Sequence, residues 1–187
     1  MRLFVAVDPP AQVRAAIAEA IDRCRALAPD AKWQRPDALH LTLAFLGHLP
    51  DERVPAVGAA LAAVAPRHRP LALAAAAAGS FGPRTHPRVL FLEVGGDVEG
   101  LARLQAEVEA SLRPLGHEPE ARPFHPHLTL ARARAPGGDR ALAAAREALA
   151  GAAPMPFVVG ELVLYRSDLS PHGARYTPLA TVPFGGG

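Results

Sequence analysis

The chain repeats itself. Arg35-Pro36-Asp37-Ala38-Leu39-His40-Leu41-Thr42-Leu43-Ala44 returns 87 residues later, without a gap, as Arg122-Pro123-Phe124-His125-Pro126-His127-Leu128-Thr129-Leu130-Ala131. The same shift carries Leu3-Phe4 onto Leu90-Phe91 and Val7 onto Val94. Such a repeat constrains the architecture strongly, because two similar segments must bury similar faces. The 187 residues are expected to form a single bilobal domain from two copies of one unit, roughly 1–86 and 87–187.

Within the motif, His-Leu-Thr-Leu alternates polar and apolar, the pattern of a half-buried strand. Leu41, Leu43, Leu128 and Leu130 then enter a core, while His40, Thr42, His127 and Thr129 share the other face. If a pseudo-two-fold axis sets the two strands side by side, two imidazoles and two hydroxyls line one groove. Imidazole has an ordinary pKa of about 6.5, so one ring can act as base and the other as acid near neutrality. Threonine hydroxyls can hydrogen-bond anionic oxygens. A phosphodiester suits this set: a base for incoming water, an acid for the departing alkoxide, donors for the oxygens between.

The remaining segments predict a β-α-β-α-β unit, used twice. In the first copy, Leu3 to Val7 is a strand and Asp8 a helix N-cap. Val13, Ile17, Ile21, Cys24 and Leu27 then form a buried helical stripe. Trp33 opens a short extended piece into the first motif. Asp51-Glu52 starts a helix with the stripe Val54, Val57, Leu61 and Val64, ended by Pro66. Leu71 to Ala78 is a strand, and Gly79-Ser80-Phe81-Gly82-Pro83 a turn. The second copy runs from a Val89–Val94 strand through a helix bearing Val98, Leu101, Leu104, Val108 and Leu112. After the second motif come a helix over Asp139–Leu149 and a strand over Phe157–Tyr165. The turn Ser170-Pro171-His172-Gly173 leads to a last strand, Arg175–Val182. With no linker between copies, the expected class is α+β: two pseudo-symmetric lobes, mostly antiparallel sheets facing a central groove, helices outside.

A net charge of +2 is too small for a protein that coats nucleic acid. Lys32 is the only lysine among 20 cationic residues. Arginine favours planar, bidentate phosphate recognition, although codon bias accounts for most of that excess. Cys24 is the only cysteine, so no intrachain disulfide can form. The apolar part of the N-terminus is too short for a signal peptide, and Leu71–Ala78 is far below a membrane span. A monomeric cytoplasmic enzyme with no membrane contact is the expectation.

Two His-x-Thr-x strands with these flanks resemble the 2H phosphoesterase superfamily, and within it the bacterial RNA 2′,3′-cyclic phosphodiesterases also named 2′-5′ RNA ligases. The resemblance runs nearly end to end, through Arg2-Leu3-Phe4-Val5-Ala6-Val7-Asp8, Leu39 to Gly47, Pro87 to Phe91, Pro123 to Arg132 and Arg175 to Leu179. It implies hydrolysis of an RNA terminal 2′,3′-cyclic phosphate to a 2′-phosphate, without metal or other cofactor. By position, His40 would be the proton donor to the leaving 3′ oxygen and His127 the proton acceptor from water. Thr42, Thr129 and Arg132 would hold the phosphate. The near-symmetry of the two motifs does not by itself say which histidine is the acid. His48 replaces an expected acidic residue, and Phe91 stands where the family often has Trp.

Around this quartet, Arg88 is a candidate RNA contact at the matching strand end. Phe4 and Tyr176 could stack on a base or belong to the core. His125 could support His127 or pair with it on a metal, although no carboxylate or Cys is expected near it. The expected substrate is an RNA end, tRNA halves included. Slow 2′-5′ ligation could accompany hydrolysis, and a non-catalytic binder of RNA 2′-phosphate ends is the alternative.

Overall fold

The computed structural model describes residues 1–170 and 173–186, so Pro171 and His172 of the expected turn, and Gly187, lie outside the described residues. The strands are β1 (Arg2–Val7), β2 (Lys32–Trp33), β3 (Leu41–His48), β4 (Leu71–Phe81), β5 (Val89–Gly96), β6 (His127–Arg132), β7 (Met155–Val159), β8 (Glu161–Ser170) and β9 (Gly173–Pro183). The helices are α1 (Ala11–Arg25), α2 (Val54–Val64), α3 (Val98–Leu112) and α4 (Arg140–Leu149). Helices α1 and α3 are each 15 residues long and stand 87 positions apart. The structure is α+β, with two sheets whose recorded pairings are all antiparallel.

The sheets do not follow the sequence halves. One has the order β3-β1-β8-β9, the other β2-β6-β5-β4-β7. Shifted by one repeat, β3-β1-β8 becomes β6-β5-β4, so each copy lends its third long strand to the other copy's sheet. The cause lies at the join. A short loop links β4 to β5, and a local antiparallel hairpin costs less closure entropy than a distant pairing. The hairpin closes where the Arg88 amide donates to the Phe81 carbonyl at 2.8 Å. Each sheet therefore takes strands from both residues 1–86 and residues 87–187.

Three local expectations change for related reasons. Phe157–Tyr165 is not one strand: it breaks at Gly160, leaving β7 on β4 in one sheet and β8 on β1 in the other. Gly79, Ser80 and Phe81 continue β4 rather than turning, in register with Phe91, Leu90 and Val89. Gly79 is small because a Cβ there would lie 2.5 Å from the Phe91 ring. Asp8 does not cap α1, which starts after Pro10 with no side-chain cap. Its carboxylate instead accepts a hydrogen bond from the Tyr165 hydroxyl, 2.5 Å away.

Core residues from both sheets and all four helices form one hydrophobic cluster. The expected stripes enter it, except that Leu27 lies past the end of α1 and is exposed, as is Val98 at the start of α3. Leu41, Leu43, Leu128 and Leu130 are buried, while Thr42 and Thr129 are only half-buried. The alternation thus works as the sequence predicts. The motif strands are not paired side by side, however; β3 and β6 belong to different sheets and approach each other across the join. Among the described residues no helix is long and apolar enough to cross a membrane.

Candidate active site

Both motif histidines stand at a strand entrance. His40 immediately precedes β3, and its Nδ1 lies 2.8 Å from the carbonyl oxygen of Ala38, in the short 3-10 turn Pro36–Ala38. His127 opens β6, with Nδ1 2.7 Å from the carbonyl oxygen of His125. A carbonyl only accepts, so each Nδ1 carries the proton in this contact. Nε2 is left outside this contact, an acceptor in the neutral ring and a donor once protonated. The same backbone device thus serves both copies.

Each imidazole also leans on the phenylalanine of its own repeat's first strand. Phe4 lies 4.7 Å from His40 and Phe91 lies 5.1 Å from His127, between ring centroids. A second ring meets each edge-on at 5.0 Å, Tyr176 against His40 and Phe81 against His127. Phe4 is only 3% exposed, so it backs His40 and is not free to stack on a base. Tyr176 is half-buried beside it.

Burial depresses both histidines. His40 is lowered to about 4, mainly by desolvation; the hydrogen bond to Ala38 opposes the shift, and the charges of Arg132 and His127 add to it. His127 is lowered chiefly by burial, with the His125 carbonyl opposing, His125 and Arg132 adding to the fall, and Glu93 opposing it. His40, His127 and Arg132 therefore sit in one electrostatic field. At neutral pH both rings are uncharged in the free protein.

Glu93 was not legible beforehand. It sits across from His127 in the β5–β6 register, and its Oε2 lies 2.8 Å from His125 Nε2. The expectation that no carboxylate stands near His125 is thus overturned. Only strand register could have revealed this contact, since the two residues are far apart in sequence. The matching position in the first repeat is Ala6, so Glu93 makes the two histidines inequivalent. Among the described residues no group of three or more His, Cys, Asp or Glu side chains is placed to hold a metal ion.

The groove between the motif strands encloses about 500 Å³ and is lined by Thr42, Phe45, Arg88, His125, His127 and Arg132, among others. His40 is half-buried and feels the charges of Arg132 and His127, both of which line the groove, while Thr129 is half-buried opposite Phe91. Arg88 and Arg132 are both exposed. The structure brings Thr42, His127, Arg88 and Arg132 to one opening, whose lining does not include His40 or Thr129. It adds Gln105 and Glu109 from α3 to the lining, residues no motif had marked.

A profile of the 2′-5′ RNA ligase superfamily matches residues 6–171. The RNA 2′,3′-cyclic phosphodiesterase of Thermus thermophilus is 36% identical over 190 residues, covering 96% of this chain and 88% of that protein. The enzyme of the same name from Geobacillus stearothermophilus is 33% identical over 183 residues; the match covers 96% of this chain but spans only 56% of that relative. The crystal structure of Escherichia coli LigT complexed with 3′-AMP superposes with a TM-score of 0.75 at 30% identity, covering 98% of this chain and 97% of that one. With a duplicated motif and a family match from the end of β1 through β8, the chain belongs to the 2′-5′ RNA ligase superfamily.

Proposed function

We propose that this groove opens the terminal 2′,3′-cyclic phosphate of an RNA to a 2′-phosphate, with His40 as general acid and His127 as general base. The observation that carries this reading is the matched pair of imidazoles, each anchored through Nδ1 to a carbonyl two residues back. The names of the Thermus and Geobacillus relatives support the substrate class, and the 3′-AMP held by LigT supports a nucleotide phosphate in the groove.

His127 Nε2 takes a proton from water as its oxygen forms a bond to phosphorus. The bond from phosphorus to the 3′ oxygen breaks, and His40 Nε2–H delivers a proton to that oxygen. One water is consumed, and the two rings end with their protons exchanged until solvent resets them. Thr42, Thr129 and Arg132 hold the non-bridging oxygens. No step calls for a metal, because each proton has a nitrogen to leave from or go to.

His40 must be charged to act as acid, yet the free protein holds it near 4. The phosphate resolves this: a close anion favours imidazolium and reverses much of the burial effect. The substrate thus brings the charge that arms the acid. An RNA 5′-hydroxyl in place of water would form a 2′-5′ linkage by the same proton movements, which fits the superfamily's name. tRNA halves with cyclic ends are suitable substrates for both outcomes.

The test is chromatographic analysis of an RNA ending in 2′,3′-cyclic phosphate, incubated with the protein in EDTA. A 2′-phosphate product is expected. A 3′-phosphate would reject expulsion of the 3′ oxygen, and loss of activity in chelator would reject the metal-free mechanism.

A further inference from the structure

Beyond the groove, β4 and α4 frame a second depression of about 490 Å³, lined by Ser80, Gly82, Arg84, Arg146 and Glu147, among others. Its central group is Arg146. That side chain is only 17% exposed, and Nη1 donates to Ser80 Oγ at 2.8 Å and to the Arg84 carbonyl at 3.3 Å. The nearest carboxylate recorded for it, that of Glu147, is 3.9 Å away and 77% exposed, beyond hydrogen-bond reach. A mostly buried guanidinium compensated by neutral oxygens, with donors left over, is suited to an anion. Its place in the last turn of α4 accounts for a cation there, but not for one folded back onto β4.

The depression adjoins the groove between the motif strands. Gly82 borders both, and Arg88 of the groove packs against it, with Nε 3.3 Å from where a Cβ would stand. Gly82 has φ +97, a left-handed backbone that leaves this saddle bare. Phe81, the preceding residue, has its ring against His127. Arg132 and Arg88 thus line the groove, and Arg84 and Arg146 the depression, with Gly82 bordering both.

We infer that Ser80, Arg84 and Arg146 form a subsite for a backbone phosphate of the RNA strand, 5′ of the cyclic end. The inference rests on the groove being the cyclic-phosphate site. It makes this chain selective for oligonucleotide over mononucleotide substrates through a contact remote from the chemistry. A phosphodiester bridging Arg84 and Arg146 takes charge-assisted hydrogen bonds from both without displacing Ser80.

The experiment compares kcat/KM on cytidine 2′,3′-cyclic phosphate and on an oligoribonucleotide ending in the same cyclic cytidine, for wild type, Arg84→Ala and Arg146→Gln. Wild type is expected to favour the oligonucleotide. Each variant should lose about tenfold on it, with a flatter salt dependence, and nothing on the mononucleotide. Arg84 is exposed, so its variant tests the subsite even if Arg146→Gln folds poorly. Undiminished oligonucleotide turnover by Arg84→Ala, or equal loss on both substrates, would overturn the subsite and leave the groove's function standing. Failure of wild type to turn over either substrate would remove the function, and the subsite with it.

Discussion

The ring of His40 is tied through Nδ1 to the carbonyl oxygen of Ala38 at 2.8 Å. His127 and His125 repeat the contact one copy later at 2.7 Å. Because the anchor is backbone, a change of neighbouring side chain leaves the tautomer intact. The consequence is that Nε2 is the ring nitrogen left free of this anchor in both copies.

Removing either Nε2 should therefore cost most of the rate. His40→Ala and His127→Ala are each expected to lower kcat by about 10²–10⁴-fold, read by product formation from a cyclic-phosphate RNA. A loss of tenfold or less at either position argues against acid-base work there.

The pH profile should be displaced toward acid. Burial lowers both imidazoles in the free protein, His40 to about 4. The limbs of kcat/KM, which report the free enzyme, are thus expected below pH 6.5, with the acid limb near 4. Limbs of kcat should lie at higher pH, because the bound phosphate favours both charged rings. Coincident limbs in the two profiles would contradict the proposed effect of substrate.

The same depression links His40 to stability. Between about pH 6.5 and 4 the unfolded chain binds a proton that the folded His40 refuses, so stability falls as pH drops through that window. Taking the full shift to about 4, the loss is at most about 3 kcal/mol. Urea unfolding of wild type and His40→Asn at pH 7 and pH 4.5 should show a smaller acid loss in the variant. Equal losses would mean the folded ring protonates as readily as the unfolded one.

Glu93 should tune His127 through its charge. Its carboxylate opposes the downward shift of that histidine and pairs with His125. Glu93→Gln is expected to lower the His127 pKa further, followed by the ring-proton NMR shift across a pH titration. An unchanged or higher value would show that the carboxylate does not act on that ring.

The exchanged strands make the halves interdependent. Residues 1–86 alone would leave β1 without β8 and β4 without β5. That fragment is expected to show no cooperative unfolding by circular dichroism, and mixing it with 87–187 should restore a folded complex. A cooperative transition in the isolated half would show that one repeat suffices.

The duplicated motif made much of this readable in advance. Alternation placed Leu41 and Leu43 inward and Thr42 toward the groove because strand side chains alternate whatever the sheet's partners are. Apolar periodicity likewise located α1, α2 and α3. The repeat also identified His40 and His127 as a pair, which no single motif could have done.

Strand exchange, by contrast, is a decision between pairings with nearly the same local sequence. It was set by the short β4–β5 connection and by burial of both sheets in one core. The break at Gly160 and the continuation of β4 through Phe81 follow from that exchange. So do the Glu93–His125 contact and the Phe81 ring on His127, which depend on register across distant segments. Local sequence determined which residues face which side, because backbone geometry enforces it residue by residue. Tertiary structure alone decided which sides meet, because that depends on the free energy of the whole packed chain.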